Sequence, residues 1–529
     1  MPIKIAFLGA GSLGFTRRLV HDLLTVPEFQ KAHFAYHDID ARNLEMVTAL
    51  TRRDFKAGRI PAKLTSHLDR RAAVADADYV VCAVRVGGLE AFKLDVEIPL
   101  KYGVDQCVGD TLCAGGILYG QRTIAALLDF CRDIREVAKP GALLLNYSNP
   151  NAMVTWACNQ YGGVRTVGLC HGVQGGHWQI AAVLEHFLNT KADRKPGDKN
   201  WVKVEKREVD IICAGINHQT WYVKALYQGK DWAQKLLAPF EMHPEFRRTE
   251  KVRIDMLRRF GYYTTESNGH VSEYVPWYRK RPEEISRWID LSKWINGETG
   301  GYLRVCTEGR NWFETDFPNL MKQAPPALGP GANRSEEHGS YIIEALETGR
   351  PYRGHFNVMN RGIITNLPEG CVIEVPGYVD RTGIQIPVVG DLPLACAATC
   401  AASVRVQEMA VKAAVAGDVL LLKQALLHDP LCAAVCNPEE IWQMADEMLA
   451  AQAQWLPQYR HALVDVKKRL RHATIKTRDG YQGAARLHTR TVTEMQRDAA
   501  GARENALAAD KAGLTRDAKT GKKRAGRPG

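Results

Sequence analysis

Cys170 and His171 stand side by side in "VGLCHGVQGG", and His218 follows 48 residues after the cysteine in "CAGINHQTW". A cysteine thiolate and an imidazole are good ligands for a divalent transition metal. Two protein ligands leave coordination positions open for substrate oxygens, which suits a catalytic site. A second constellation lies at the N-terminus. "GAGSLG" places Gly9, Gly11 and Gly14 in GxGxxG spacing, with Ser12 inside the turn. Such a turn lets backbone approach a pyrophosphate, seats helix closely on strand and aims the helix N-terminus at the phosphates. Asp38 in "HDID" lies 24 residues past Gly14, where an acid bonds the ribose hydroxyls of NAD. Arg42 nearby leaves NADP open. Asn149, in "NYSNPNAM", ends a strand beside the nicotinamide position of such a fold, where its amide can meet cofactor or a sugar hydroxyl. Asp110, in "GDTLCAGGI", precedes a glycine turn and a helix suited to closing over a ligand.

These side chains need strand ends and helix starts to hold them. Five apolar runs supply strands: "IKIAFLGAG", "AHFAYHDID", "ADYVVCAVRVGG", "GALLLNYSNP" and "TVGLCHG". Their alternation with helical spacing predicts an α/β fold, a Rossmann-type doubly wound parallel sheet over residues 1–195. Residues 196–460 read as a mixed α+β domain for substrate and metal, of the lactate/malate dehydrogenase C-terminal kind. Within it, "KREVDIICAGINHQTWYVKALY" is strand, turn, strand, and 393–460 is Ala- and Leu-rich and helical. Residues 461–529 form a basic extension, expected to be largely disordered beyond about 486.

The net charge of +11 is confined to that extension: from Arg460 onward there are 18 Lys and Arg against 7 Asp and Glu. The rest of the chain is balanced and gives no electrostatic case for a nucleic-acid partner. No apolar run approaches the roughly 20 residues of a membrane span. The 13 cysteines are scattered with no CxxC pair, which fits a reducing compartment without disulfides. A cytoplasmic enzyme is expected, and the fold class suggests a homodimer or homotetramer.

Taken in order, "GAGSLGF", "HDID", "GDTLCAGGI", "NYSNPNAM", "GLCHGVQGG", "AGINH", "GYYTTESNGHVSEYVPWY" and "NLPEGCVIEV" resemble glycoside hydrolase family 4, closest to its α-galactosidase branch. The resemblance runs from residue 3 to about 460. It implies tightly bound NAD⁺ and a divalent metal, usually Mn²⁺, acting on a sugar glycoside. In such enzymes the C3 hydroxyl is oxidised to a ketone, which acidifies the proton at C2. A base takes that proton, the C1 oxygen leaves with acid help, water adds, and the hydride returns. The resemblance implies Cys170 and His218 as metal ligands, His171 as the acid and Asn149 as substrate-binding. For the base it offers Tyr263 and Glu266 in "GYYTTES". Departures touch the substrate. Gly172 stands where that branch has serine, "CAGG" replaces a "GPGG" turn, and Arg85 in "VRVGG" resembles an arginine of phosphosugar members. An α-glucoside or an anionic sugar (a uronide or 6-phosphoglycoside) therefore stays open. Two rivals stay open too: a plain lactate/malate-type dehydrogenase, and a non-catalytic NAD-sensing or DNA-associated protein using its basic tail.

Overall fold

Ile5, Ala6, Phe7 and Leu8 are apolar in succession and buried, so the segment has no face for water and belongs in a sheet covered on both sides. The computed structural model describes residues 2–291, 296–310 and 312–498 and places the segment there. The first six strands are β1 (Lys4–Leu8), β2 (His33–His37), β3 (Lys63–His67), β4 (Tyr79–Cys82), β5 (Leu143–Asn146) and β6 (Thr166–Gly168). All pair in parallel, in the spatial order 3-2-1-4-5-6 of a doubly wound dinucleotide-binding sheet. The five expected strands are present. β3 was not expected: "KLTSH" is polar and half-exposed because it forms the sheet edge, so no apolar run marks it.

The later strands continue the same sheet in antiparallel fashion. They are β7 (Asp210–Ile216), β8 (Gln219–Tyr227), β9 (Lys230–Asp231), β10 (Tyr352–Met359), β11 (Val372–Asp380) and β12 (Gly383–Gln385). β10 joins the two halves. It meets β6 at Asn357 opposite Gly168 and pairs along its length with β11, which meets β7 at Glu374 opposite Gly215. β7 and β8 make the expected hairpin, with Ile216 opposite Gln219 and Asn217-His218 as its two-residue turn. His218 takes φ 65°, a left-handed conformation more tolerable for histidine than for β-branched residues.

The expected helical region is found as Leu394–Ala416, Val419–His428, Pro430–Val435 and Pro438–Ala451. Cys396, Cys400, Cys432 and Cys436 are buried there, and none of the 13 cysteines is in a disulfide. Among the described residues no helix is long and apolar enough to cross a membrane. All this belongs to one unit, Met1–Leu303 with Pro325–Leu487. A second unit contains, among the described residues, those of 304–324 and 488–498. Within it the Glu308 carboxylate accepts from the backbone and guanidinium of Arg490, at 3.1 and 2.7 Å. Residues 492–498 are helical. The disorder expected beyond 486 bears mainly on 499–529, outside the described residues.

His355 on β10 gives the sheet a pH dependence. Its Nε2 accepts the Cys213 N–H at 3.3 Å, so that nitrogen must carry no proton. Burial lowers its pKa to about 3. The unfolded chain, with a histidine near its ordinary value, then binds a proton the folded chain refuses between about pH 6.5 and 3. Stability should fall as the pH drops through that window, by up to about 1.4 kcal/mol per pH unit from this group. Thermal melts of the native chain and His355→Gln across pH 4–7 check this. An unchanged slope in the variant would assign the proton elsewhere.

Candidate active site

The carboxyl ends of the parallel strands carry most of the residues singled out from sequence. Gly9 follows β1, Asp38 follows β2, Arg85 follows β4, Asn149 follows β5 and Cys170 follows β6. That edge is where ligands bind in open α/β sheets.

The glycine turn is built for close approach. Gly9 has φ 82°, and a Cβ there would stand 2.6 Å from the Ala83 carbonyl oxygen. A Cβ on Gly11 would stand 2.8 Å from Asp38 Oδ2, which accepts the Gly11 N–H at 2.8 Å. Asp38 thus braces the turn from the end of the neighbouring strand. Ser12 Oγ accepts the Phe15 N–H at 3.3 Å, at the start of the helix Phe15–Leu24. Gly14 corrects an expectation. A Cβ there would meet nothing within 4 Å, so this glycine is not needed to seat helix on strand. It leaves open space beside the turn instead.

Cys170 and His218 come together. His218 Nε2 is 3.2 Å from Cys170 Sγ. Glu266 Oε1 is 3.5 Å from that sulfur and 3.8 Å from His218 Nε2. The three donor atoms lie within 4.8 Å of one another, a sulfur, a nitrogen and an oxygen suited to one divalent cation. Burial, with Glu266 and Glu374 nearby, pushes the Cys170 thiol well up, so without a cation it keeps its proton. Burial also raises the Glu266 carboxyl, but His218, His270 and Arg253 outweigh it and hold the group below its ordinary value.

The orientation of His218 follows from its other nitrogen. Thr111 Oγ1 donates to Asp110 Oδ1 at 2.8 Å and lies 2.7 Å from His218 Nδ1. With the hydroxyl proton spent on Asp110, Nδ1 must donate to Thr111, which leaves the Nε2 lone pair facing Cys170. Asp110 also accepts from Asn149 Nδ2 at 2.9 Å and lies 3.6 Å from Arg85 Nη2. Burial raises the Asp110 carboxyl, but Arg85, His270 and His218 together hold it below its usual range. The Arg85 guanidinium stacks over Phe92 and Tyr119, 4.2 and 4.7 Å from their ring centres. Asp110, Asn149 and Arg85 are therefore one contact group, tied to His218 through Thr111.

His171 is half-exposed, stacks on Tyr147 and places Nε2 2.7 Å from Glu337 Oε2. Burial pulls its pKa down, the Glu337 contact pulls it up by more, and the net shift is upward. Tyr263 corrects a second expectation. Its ring is fully buried against Phe240, Tyr222 and Arg253, and its hydroxyl donates to Gln179 at 2.9 Å. Burial pushes that phenol well up. It is a core residue and not placed to take a proton from substrate.

Three participants were given no role from the sequence. His270, four residues past Glu266, brings a ring nitrogen within 4.8 Å of donor atoms of Asp110 and His218. Its Nδ1 lies 2.6 Å from Ser267 Oγ. Glu337 and Thr111 act only through tertiary contact. A fourth, Glu273, accepts the backbone N–H groups of Cys107, Val108 and Gly109 at 2.7, 2.9 and 2.8 Å, fixing the loop that carries Asp110 and Thr111.

Known proteins share this arrangement of chain. The family model described as "Family 4 glycosyl hydrolase" matches residues 4–186, and its C-terminal domain model matches 213–432. An α-galactosidase of Rhizobium meliloti (strain 1021) is 56% identical over 93% of this chain and 97% of its own. An α-galactosidase of Bacillus subtilis (strain 168) is 34% identical over 86% of this chain and 100% of its own. The 6-phospho-β-glucosidase of Thermotoga maritima, solved with manganese, NAD⁺ and glucose 6-phosphate, shares the fold at TM-score 0.65 and 21% identity, over 86% of this chain and 99% of that one.

Proposed function

The chain belongs to family 4 of the glycosyl hydrolases, and from that premise we propose that it is an NAD- and metal-dependent α-galactosidase. The observation that carries the reading is the Cys170–His218 pair set at the same sheet edge as the Gly9–Gly14 turn. A plain dehydrogenase of this fold has no need of a thiolate and imidazole there. The α-galactosidase relative at 56% identity supports the sugar. So does Arg85, whose charge already faces Asp110 and sits among aromatic rings, an arrangement that favours a neutral sugar over a uronide or phosphosugar.

When bound, NAD⁺ supplies a reversible hydride acceptor for the sugar C3 position, and a divalent metal such as Mn²⁺ polarises the C2 and C3 oxygens. The residues present fit both groups. Gly9 and Gly11 let the turn close against Ala83 and Asp38, Gly14 leaves open space beside it for a pyrophosphate, and Asp38 stands where ribose hydroxyls would lie. Cys170 and His218 offer a sulfur and an oriented nitrogen. Asn149 Nδ2 and the Asp110 carboxylate offer a donor and an acceptor for sugar hydroxyls. His171 is engaged with Glu337 through Nε2, which steadies the imidazolium, so Nδ1 is the nitrogen that offers a proton to the departing C1 oxygen. His270 is the base we assign for the C2 proton, through Nε2, since Nδ1 is engaged with Ser267. Glu266 is turned onto Cys170 and His218, and Tyr263 is in the core.

The division into a dinucleotide half (1–195) and a substrate half (196–460) is supported by the parallel strands all preceding it and by the two family matches. Thirteen unpaired cysteines support a cytoplasmic location. A homodimer or homotetramer is supported by apolar side chains left in water, Leu394, Val388 and Tyr378 among them.

The test is release of nitrophenol from p-nitrophenyl α-galactoside, α-glucoside and α-glucuronide, each with and without NAD⁺ and Mn²⁺. Cleavage of the galactoside that needs both additions, with no net NADH, is the expected result. Stoichiometric NADH from a free sugar or hydroxy acid, with no glycoside cleaved, would turn the assignment to a dehydrogenase.

A further inference from the structure

Two protein ligands suffice for the metal reading, yet a third donor is built against them. We infer that Glu266 is a third protein ligand to the divalent metal, its carboxylate seated in the space that Gly172 leaves beside Cys170. The inference rests on the metal reading above.

Three observations carry it. Glu266 Oε1 faces both Cys170 Sγ and His218 Nε2, at 3.5 and 3.8 Å. A Cβ on Gly172 would fall 1.6 Å from that same oxygen. The φ of Gly172 is not positive, so the backbone would accept alanine, and an alanine there would displace the Glu266 carboxylate. Finally, Glu266 itself has φ 68°, a left-handed conformation that a glutamate adopts at a cost. The chain on either side enforces it. Thr265 N–H donates to the Thr220 carbonyl at 2.9 Å, and Ser267 Oγ accepts the His270 N–H at 3.3 Å. Strained backbone persists where surrounding structure over-determines it, commonly at functional sites.

A third ligand also changes which metal is held. A thiolate and an imidazole alone favour softer cations such as Zn²⁺, whereas carboxylate oxygen suits Mn²⁺. Sulfur, nitrogen and oxygen from the protein still leave positions for two sugar oxygens in a six-coordinate ion. Glu266 thus biases the site toward Mn²⁺ without closing it.

The experiment measures Mn²⁺ binding directly, by the electron paramagnetic resonance signal of free Mn²⁺, on the full chain with NAD⁺. Glu266→Gln should raise the Mn²⁺ Kd by about 100-fold, with a smaller change for Zn²⁺. Gly172→Ala should weaken Mn²⁺ binding tenfold or more in the native background and have no further effect in Glu266→Ala. Melting curves report whether each variant is folded; if Glu266→Gln is not, Glu266→Asp should fall between it and the native chain. A native-like Mn²⁺ Kd in Glu266→Gln, or a Gly172→Ala effect equal in both backgrounds, overturns the inference. If Mn²⁺ binding by the native chain is also indifferent to Cys170→Ser, the metal reading itself has failed.

Discussion

Replacing Cys170 by serine is expected to lower kcat on an α-galactoside by about 10³-fold or more while NAD⁺ binding stays as it was. The hydroxyl of serine is a far weaker ligand than a thiolate, and the other two donors converge on the sulfur's position. Lewis-acid polarisation of substrate oxygens is worth several kcal/mol, and each 1.36 kcal/mol is about a factor of ten in rate. A loss near 4 kcal/mol gives the stated factor. The residues we propose for NAD⁺, Gly9, Gly11 and Asp38, follow β1 and β2, at least three strands from Cys170 at the end of β6, so cofactor affinity should not follow the rate down. Steady-state rates over a Mn²⁺ titration, with NAD⁺ binding read by quenching of protein fluorescence, separate the two. Activity within tenfold of native would remove Cys170 from the metal site.

The second large effect is one of architecture. Glu273→Ala should cost about 3 kcal/mol or more of stability, because three buried N–H groups lose their only described acceptor. Glu273 is itself fully buried, and burial, opposed by those same N–H groups, lifts its pKa to about 7. The loop it holds delivers Asp110 and Thr111, and Thr111 sets the tautomer of His218. Glu273 is thus a positioning residue, and the variant should lose Mn²⁺ affinity by about 10–100-fold on top of its lower melting temperature. Glu273→Gln keeps one acceptor oxygen and should fall between. If the alanine variant melts where the native chain does, the loop is held by something else.

How much of this could be read from sequence depends on how locally each feature is encoded. The turn at Gly9–Gly14, Asp38 and the Cys170–His218 pair were legible because each sits at the end of an apolar strand with glycine beside it. β10 was not legible: Gly354, His355 and Asn357 interrupt its apolar pattern, each for a contact across the sheet rather than along the chain. Glu273 stands in a stretch that carries the family resemblance, but nothing local marks its role, because its partners lie 164 to 166 residues away. Tyr263 was misjudged for a geometric reason. Thr264 bridges to Trp221 as extended chain, which carries Tyr263 toward the core, and the left-handed backbone of Glu266 then breaks that run and redirects its side chain. Glu266 therefore turns to the site while Tyr263 turns into the core.

The way β10 and β11 are inserted bears on how the protein is made. β6 is complete at residue 168 and the hairpin that carries His218 at residue 227, but the strands that join them begin at residue 352. On a ribosome, well over a hundred residues emerge while β6 remains an open edge and the hairpin has no sheet to join. Cys170, His218 and Glu266, the proposed cation ligands, are all synthesised well before the strands that join their two parts of the sheet. The site is assembled only when the last pairing closes. A nascent or truncated chain ending before Tyr352 would carry Cys170 and His218 without the strands that seat them in one sheet, while presenting a bare strand edge to its neighbours.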